Sequence, residues 1–159
     1  MTTSSRRRSK FLVVVDSTPE CKVALRFATQ RARNVGGGVT LLHVIEPGDS
    51  QQWQAVEELM RQEAREEAER LMQELAGQVQ LESGIIPELV IRDGRKKDEL
   101  LKLISEDPSI RILVLGAAPG AEGPGPLVTA LAGQMSGSFS IPITLVPGAL
   151  SAEQIDELV

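Results

Sequence analysis

Five short apolar runs limit the folds open to this chain more than any other feature of the sequence. Residues 11–15 are rich in β-branched side chains and show no alternation of apolar and polar positions. That pattern is typical of a strand that is buried on both faces of a sheet. The other runs cover residues 39–45, 87–91, 110–115 and 141–146. We predict that each run is a strand, because turn-forming glycines and prolines flank most of them.

Segments with helical features separate the five runs. Ser17 or Thr18 can cap a helix that follows the first run. Between residues 52 and 80, apolar side chains recur every three or four positions, which predicts one long amphipathic helix. Shorter helices are predicted at residues 98–106 and 127–135. Strands that alternate with helices imply right-handed crossovers, so the sequence predicts a single α/β domain, an open parallel sheet with helices on both faces.

The placement of charge excludes some partners. The chain has 17 Lys and Arg residues against 22 Asp and Glu residues, and no Lys or Arg follows Arg111. Binding of nucleic acid needs a basic track and usually stacking aromatic rings, so this acidic chain without tyrosine is predicted to bind none. No apolar run approaches the ~18–20 residues that span a bilayer, and a single cysteine suits a reducing compartment. We therefore expect a cytoplasmic protein with no membrane partner.

The loop after the fourth run is the natural place for a phosphate site, because ligands of such sheets bind past the carboxyl ends of the strands. The chain has neither G-x-G-x-x-G after its first run nor G-x-x-x-x-G-K-[ST] after its fourth, which disfavours a Rossmann site and excludes a P-loop. Residues 116–126 are rich in glycine, but Pro119, Pro124 and Pro126 lack N–H donors and Glu122 adds negative charge. We interpret this segment as a glycine-rich crossover that is poorly suited to hold phosphate.

No catalytic or metal site is predicted from the remaining residues. His43 is the only histidine and lies inside a predicted strand, where a packed or hydrogen-bonded ring is expected. Cys21 falls in the first turn of a helix, where the dipole favours thiolate but neighbouring carboxylates oppose it. No group of His, Cys and carboxylate side chains has the spacing of metal ligands.

Several segments together resemble the universal stress protein family. FLVVVDSTPECKVAL at residues 11–25 is similar to that family's first strand, loop and helix, and LLHVIE at 41–46 to its second strand. ILVLG at 112–116 and IPITLVP at 141–147 are similar to its fourth and fifth strands. The resemblance covers residues 10–148. It implies a five-stranded parallel sheet of order 3-2-1-4-5 and a role in stress response without a defined reaction.

The resemblance also implies a homodimer and, in some members, an ATP site. The dimer would form along the edge strand that begins at Ile141 and ends at Val146, and Pro142 itself favours an edge because it cannot donate to an interior ladder. In members that bind ATP, an Asp after strand 1 and a Val in strand 2 face the adenosine, and a G-x-x-G-(x)9-G-[ST] stretch holds ribose and phosphates.

Carried over by position, these features give the candidate residues. Asp16, Val44, Leu115 and Gly116 match the family pattern. The second glycine falls at Pro119, or at Gly120 with one inserted residue, and the Gly-Ser pair, counted back from Pro142, falls at Thr129 and Ala130. The full set of predicted adenine-nucleotide residues is Val14, Val15, Asp16, Ser17, Val44, Leu115, Gly116, Gly120, Thr129 and Ala130. If a nucleotide binds, Arg92, Arg95, Lys96 or Lys97 would supply the missing positive charge.

Three functional hypotheses follow. The first is a non-catalytic homodimer that acts in stress response, has a degenerate nucleotide site and requires no cofactor. The second is a regulator that binds ATP or AMP with Mg²⁺, or a slow ATPase, at a site between strands 1 and 4. The third is an interaction module that binds an unknown protein through the 52–80 helix or the C-terminal tail.

The chain is divided accordingly into three parts. Residues 1–9 are expected to be a mobile basic arm, residues 10–148 the domain and residues 149–159 a C-terminal extension. The extension can form a short capped helix. We expect it to pack on the edge strand or on a partner subunit.

Overall fold

Strands and helices alternate along the residues that the computed structural model describes, which are 8–47, 54–120, 122–133, 137 and 139–159. The strands are β1 (Lys10–Val14), β2 (Gly38–Ile45), β3 (Glu88–Asp93), β4 (Ile110–Ala117) and β5 (Ile143–Pro147). The helices are α1 (Pro19–Val35), α2 (Gln54–Ser83), α3 (Lys96–Glu106), α4 (Pro126–Ala132) and α5 (Ala152–Leu158). Most of the predicted basic arm, residues 1–7, lies outside the described residues.

The five strands form one parallel sheet of order β3-β2-β1-β4-β5. This confirms the predicted fold class, the strand order and the edge position of the last strand. Side chains of β1 alternate between two cores, with Val13 facing α1, α2 and α5 and Leu12 facing α3 and α4. Both side chains are fully buried, which explains why the first apolar run shows no alternation.

Several predicted boundaries differ from the structure. The predicted strand at 87–91 runs on as β3 to Asp93, because Arg92 and Asp93 still pair in register with the end of β2. Helix α3 begins at Lys96 and not at Asp98, since a turn at Gly94 with a φ of 148° ends β3 and leaves the next residues free to start the helix. β4 likewise extends to Ala117 through its pairing with β5.

The C-terminal helix packs on α1 of its own chain. A capping box between Ser151 and Gln154 starts α5, and Ile155 is completely buried in the core beneath it. Asp156 accepts hydrogen bonds from Arg26 at 2.8 Å and from Gln30 at 2.7 Å. These bonds from Arg26 and Gln30 lower the pKa of the Asp156 carboxyl.

The expectation that this extension packs on the edge strand was wrong, because α5 lies against α1, and packing on a partner subunit stays a prediction. Its apolar side is a single buried residue that fits beside α1, and its acidic side faces the basic and amide side chains that α1 exposes. Within the part of the chain that the structure describes, no helix is both long and apolar enough to cross a membrane.

We expect Ile155→Ala to lower the free energy of unfolding by about 2–5 kcal/mol, because it leaves a cavity in a fully buried position. For a domain of this size, each kcal/mol lowers the melting temperature by ~2–4 °C. Leu158→Ala on the same helix is the control, since that side chain is 61% exposed. Equal melting temperatures for the two variants, measured by circular dichroism, would show that α5 does not stabilise the domain.

Candidate functional site

A cleft of about 610 Å³ opens at the carboxyl ends of β1 and β4. The chain enters the sheet at β1 and continues to opposite sides of it, to β2 and later to β4. That reversal of strand order is where open α/β sheets bind ligands. Val14, Leu115 and Gly116 line the cleft from the strands, and the starts of α1, α3 and α4 supply residues around it. A space of this size suits a small ligand.

Asp16 is placed in the cleft by a tight turn between β1 and α1. One carboxylate oxygen, Oδ1, accepts a hydrogen bond from the Thr18 N–H at 2.9 Å and another from the Thr18 hydroxyl. The hydroxyl is therefore engaged with Asp16. Thr18 immediately precedes α1, and its side chain does not cap the helix. The predicted capping by Ser17 or Thr18 was wrong for this reason. Ser17 is exposed and does not line the cleft.

Gly116 lies where the chain has no room for a side chain. A Cβ at this position would lie 2.3 Å from the carbonyl oxygen of Glu20, in the first turn of α1. Gly148, which follows β5, is equally confined, since its Cβ would lie 2.6 Å from that of Glu20. Gly116 was predicted as a nucleotide-binding residue, whereas nothing was predicted for Gly148. Close approach of two segments far apart in sequence leaves no local pattern.

The loop after β4 closes on itself. The N–H of Ala118 donates to the Pro124 carbonyl at 3.2 Å, and the N–H of Gly123 donates to the Gly120 carbonyl at 3.3 Å. Gly120 is exposed and does not line the cleft. Pro119, like Pro124, has no N–H to offer. In the described part of this loop, two backbone N–H groups are thus used internally and two prolines offer none.

The predicted Gly-Ser position falls inside α4. Thr129 is exposed, and its hydroxyl donates to the Gly125 carbonyl at 2.8 Å. Gly125 and Pro126, at the start of α4, line the cleft instead. The count back from Pro142 assumed the family's spacing, whereas ten residues separate α4 from β5 in this chain.

Five of the ten predicted nucleotide residues line the cleft. They are Val14, Asp16, Leu115, Gly116 and Ala130. Val15 and Val44 are buried in the two cores, Ser17 and Gly120 are exposed, and Thr129 borders a second, adjoining cavity. The nucleotide contacts of all ten stay predictions.

The charged side chains around the cleft come from three segments. Asp16, Glu20 and Glu46 are acidic, and Arg95, Lys96 and Lys97 at the start of α3 are basic. The fourth predicted cation, Arg92, does not line the cleft, because it is held by Glu106 at 2.6 Å. Sequence reasoning had named these cations as candidates but missed Glu20, whose position depends on how α1 packs.

His43 and Cys21 carry the side chains best suited to catalysis, and both interact within the fold. His43 donates from Nδ1 to the Val15 carbonyl at 2.8 Å, so its ring ties β2 to the residue after β1. Burial raises the pKa of the Cys21 thiol to about 11, which leaves it protonated at neutral pH. Across the described residues, no cluster of His, Cys, Asp and Glu could hold a metal ion.

One protein family matches most of the chain. The sequence profile of the universal stress protein family matches residues 7–147. No curated protein sequence matches the chain.

Solved structures share the fold at low sequence identity. The universal stress protein UspA from Lactobacillus plantarum has a TM-score of 0.72 and 20% identity, over 88% of this chain and 98% of its own. The universal stress protein from Archaeoglobus fulgidus in complex with dAMP has a TM-score of 0.56 and 19% identity, over 87% and 98%. A universal stress protein in complex with cAMP has a TM-score of 0.60 and 14% identity, over 90% and 99%.

We expect Gly116→Ala to destabilise the protein even without ligand, by about 1–3 kcal/mol, because its methyl group must displace the backbone of Glu20. Gly120→Ala is the matched control, since a Cβ there meets nothing within 4 Å. Thermal unfolding of both variants in ligand-free buffer makes the comparison. If Gly116→Ala melts with the wild type, Gly116 is not needed for packing.

Proposed function

Because the chain belongs to the universal stress protein family, we propose that it acts in stress response as a non-catalytic homodimer with a degenerate adenine-nucleotide site. The observation that carries this proposal is the cleft beside Asp16, which Val14 and Leu115 also line, together with the two internal hydrogen bonds of the loop after β4. No serine, thiolate or free histidine faces the cleft to act as nucleophile or base, among the residues that the structure describes. The reducing cytoplasm suits its lone cysteine.

The nucleoside end of the proposed site is formed by Asp16 and apolar neighbours. One oxygen of Asp16 is used by Thr18, and the other is left to accept a hydrogen bond from a base or a ribose hydroxyl. Val14 and Leu115 supply apolar contact beside it. The structural neighbours that hold dAMP and cAMP support this choice of ligand class. A magnesium ion would then arrive bound to the phosphates of the nucleotide.

We expect AMP and ATP to bind with a dissociation constant of roughly 0.1–1 mM, and Asp16→Ala to weaken both severalfold. Isothermal titration calorimetry measures this. Ser17→Ala is the control, because that side chain is exposed outside the cleft. No heat and no gain in melting temperature with millimolar nucleotide would contradict nucleotide binding.

The proposed dimer forms along β5. This strand is an edge of the sheet, so one side of its backbone lacks a neighbouring strand. Beside it lies an apolar groove of about 280 Å³ between α4 and β5, with Phe139 and Leu145 in its lining. Leu145 is 44% exposed. A second copy of the chain would pair its own β5 here and cover both grooves.

We expect light scattering at micromolar concentration to give about twice the chain mass of 17.2 kDa. Leu145→Lys should shift the protein towards the monomer, since it places a charge in the proposed contact. Leu81→Lys is the control, because Leu81 is 89% exposed on α2. A monomeric wild type would refute this part of the proposal.

One observation favours an interaction module as the second candidate. Helix α2 has 30 residues, yet among the side chains that the structure describes, from Glu57 onwards, the first buried apolar one is Ala68. Leu59 and Met60, near its start, are more than half exposed. The C-terminal tail is a weaker candidate surface, because the buried side of α5 already packs against α1.

A further inference from the structure

We propose that the phosphates of the ligand contact the start of α3, through Arg95, Lys96 and Lys97, and not the loop after β4. This inference rests on the proposed nucleotide function for the nucleoside end of the cleft. It assigns a phosphate subsite to the turn between β3 and α3.

The backbone places the three cations at the ligand-binding edge of the sheet. Gly94 donates its N–H to the Ile45 carbonyl at 3.0 Å, so the turn stays attached to the end of β2. Its φ of 148° is a conformation that side chains disfavour, and a Cβ would lie 2.9 Å from a carboxylate oxygen of Glu99. The chain therefore turns sharply here and directs the next three residues to the cleft.

Arg92 forms local ion pairs, whereas the three basic side chains that line the cleft form none within the part of the chain that the structure describes. Arg92 is held by Glu106 at 2.6 Å and lies 3.7 Å from Glu99. By contrast, no carboxylate of the described residues lies within ion-pair distance of Arg95, Lys96 or Lys97. Three positive charges therefore face a cavity without a protein counter-ion in contact.

The backbone of α3 adds to this positive potential. The helix has 11 residues, and Arg95, which precedes its first residue, provides no side-chain cap. Its first N–H groups consequently lack an intrahelical acceptor, and the helix dipole favours an anion at this end. The cations, the cavity and the uncapped helix end all favour the same kind of ligand group.

The acidic residues of the cleft define how the ligand would lie. Asp16 and Glu20 belong to the β1–α1 side, and Glu46 follows β2. Glu122 lines the second, adjoining cavity together with Lys97. Phosphates are repelled by these carboxylates and attracted to α3, whereas a base or ribose that donates hydrogen bonds is accepted at Asp16. The cleft thus favours a ligand with an anionic end and a hydrogen-bond-donating end. The anionic end would lie at α3 and the donating end at Asp16.

The test compares phosphorylated and unphosphorylated ligands on a double variant, Lys96→Gln with Lys97→Gln. We expect its affinity for AMP and ATP to fall by roughly tenfold and its affinity for adenosine to stay unchanged. Raising the salt concentration should weaken ATP binding to the wild type more than to the variant. Lys102→Gln is the matched control, because Lys102 is exposed on the same helix and does not line the cleft.

Sodium tripolyphosphate, as a ligand without a base, separates the two proposals. If the wild type and the double variant bind ATP equally, the phosphate subsite is refuted and the nucleotide function stands. If tripolyphosphate binds in a manner that needs Lys96 and Lys97 while adenosine and its nucleotides do not bind, the subsite stands with inorganic polyphosphate as its ligand and the nucleotide function fails. If neither tripolyphosphate nor nucleotide binds the wild type, both proposals fail.

Discussion

The close approach of α1 to the ends of β4 and β5 is the constraint on which the cleft depends. Glu20 lies so near the backbone of Gly116 and Gly148 that neither position has room for a methyl group. This contact fixes where α1 begins, and with it the turn that holds Asp16. The adjacent peptide groups consequently form a rigid side of the cleft. The glycine that family comparison links to a nucleotide thus has a structural cause that would persist without one.

The charges of the cleft lie on the segments around that side. The loop after β4 has proline where an N–H would be needed, and it satisfies Ala118 and Gly123 internally. Positive charge lies instead at the start of α3, on Arg95, Lys96 and Lys97. A fold can therefore retain a binding cleft while the residues that attract the anion change position, because long-range charge attraction tolerates displacement better than a hydrogen-bonding loop does.

The sequence predicted the parts of this structure that depend on local pattern. Buried β-branched runs identified the strands, and the resemblance supplied their order, which local pattern does not contain. The start of α3 was missed because Lys96 and Lys97 look like turn residues until the conformation of Gly94 is known. Gly148 and the packing of Ile155 were missed because both depend on contacts with α1 more than a hundred positions away. The count to Thr129 assumed a fixed loop length, and the nucleotide contact of Thr129 stays a prediction.

Helix α4 belongs to two surfaces at once, and this has a thermodynamic consequence. Val128 lines the cleft on one side and the apolar groove beside β5 on the other. Tight packing transmits small displacements across such a shared side chain. If the proposed dimer forms along β5 and a ligand in the cleft favours one position of α4, the ligand changes the association constant, and association changes the affinity for that ligand by the same factor. Through the seven residues of α4, binding of a ligand in the cleft would then change the fraction of dimer.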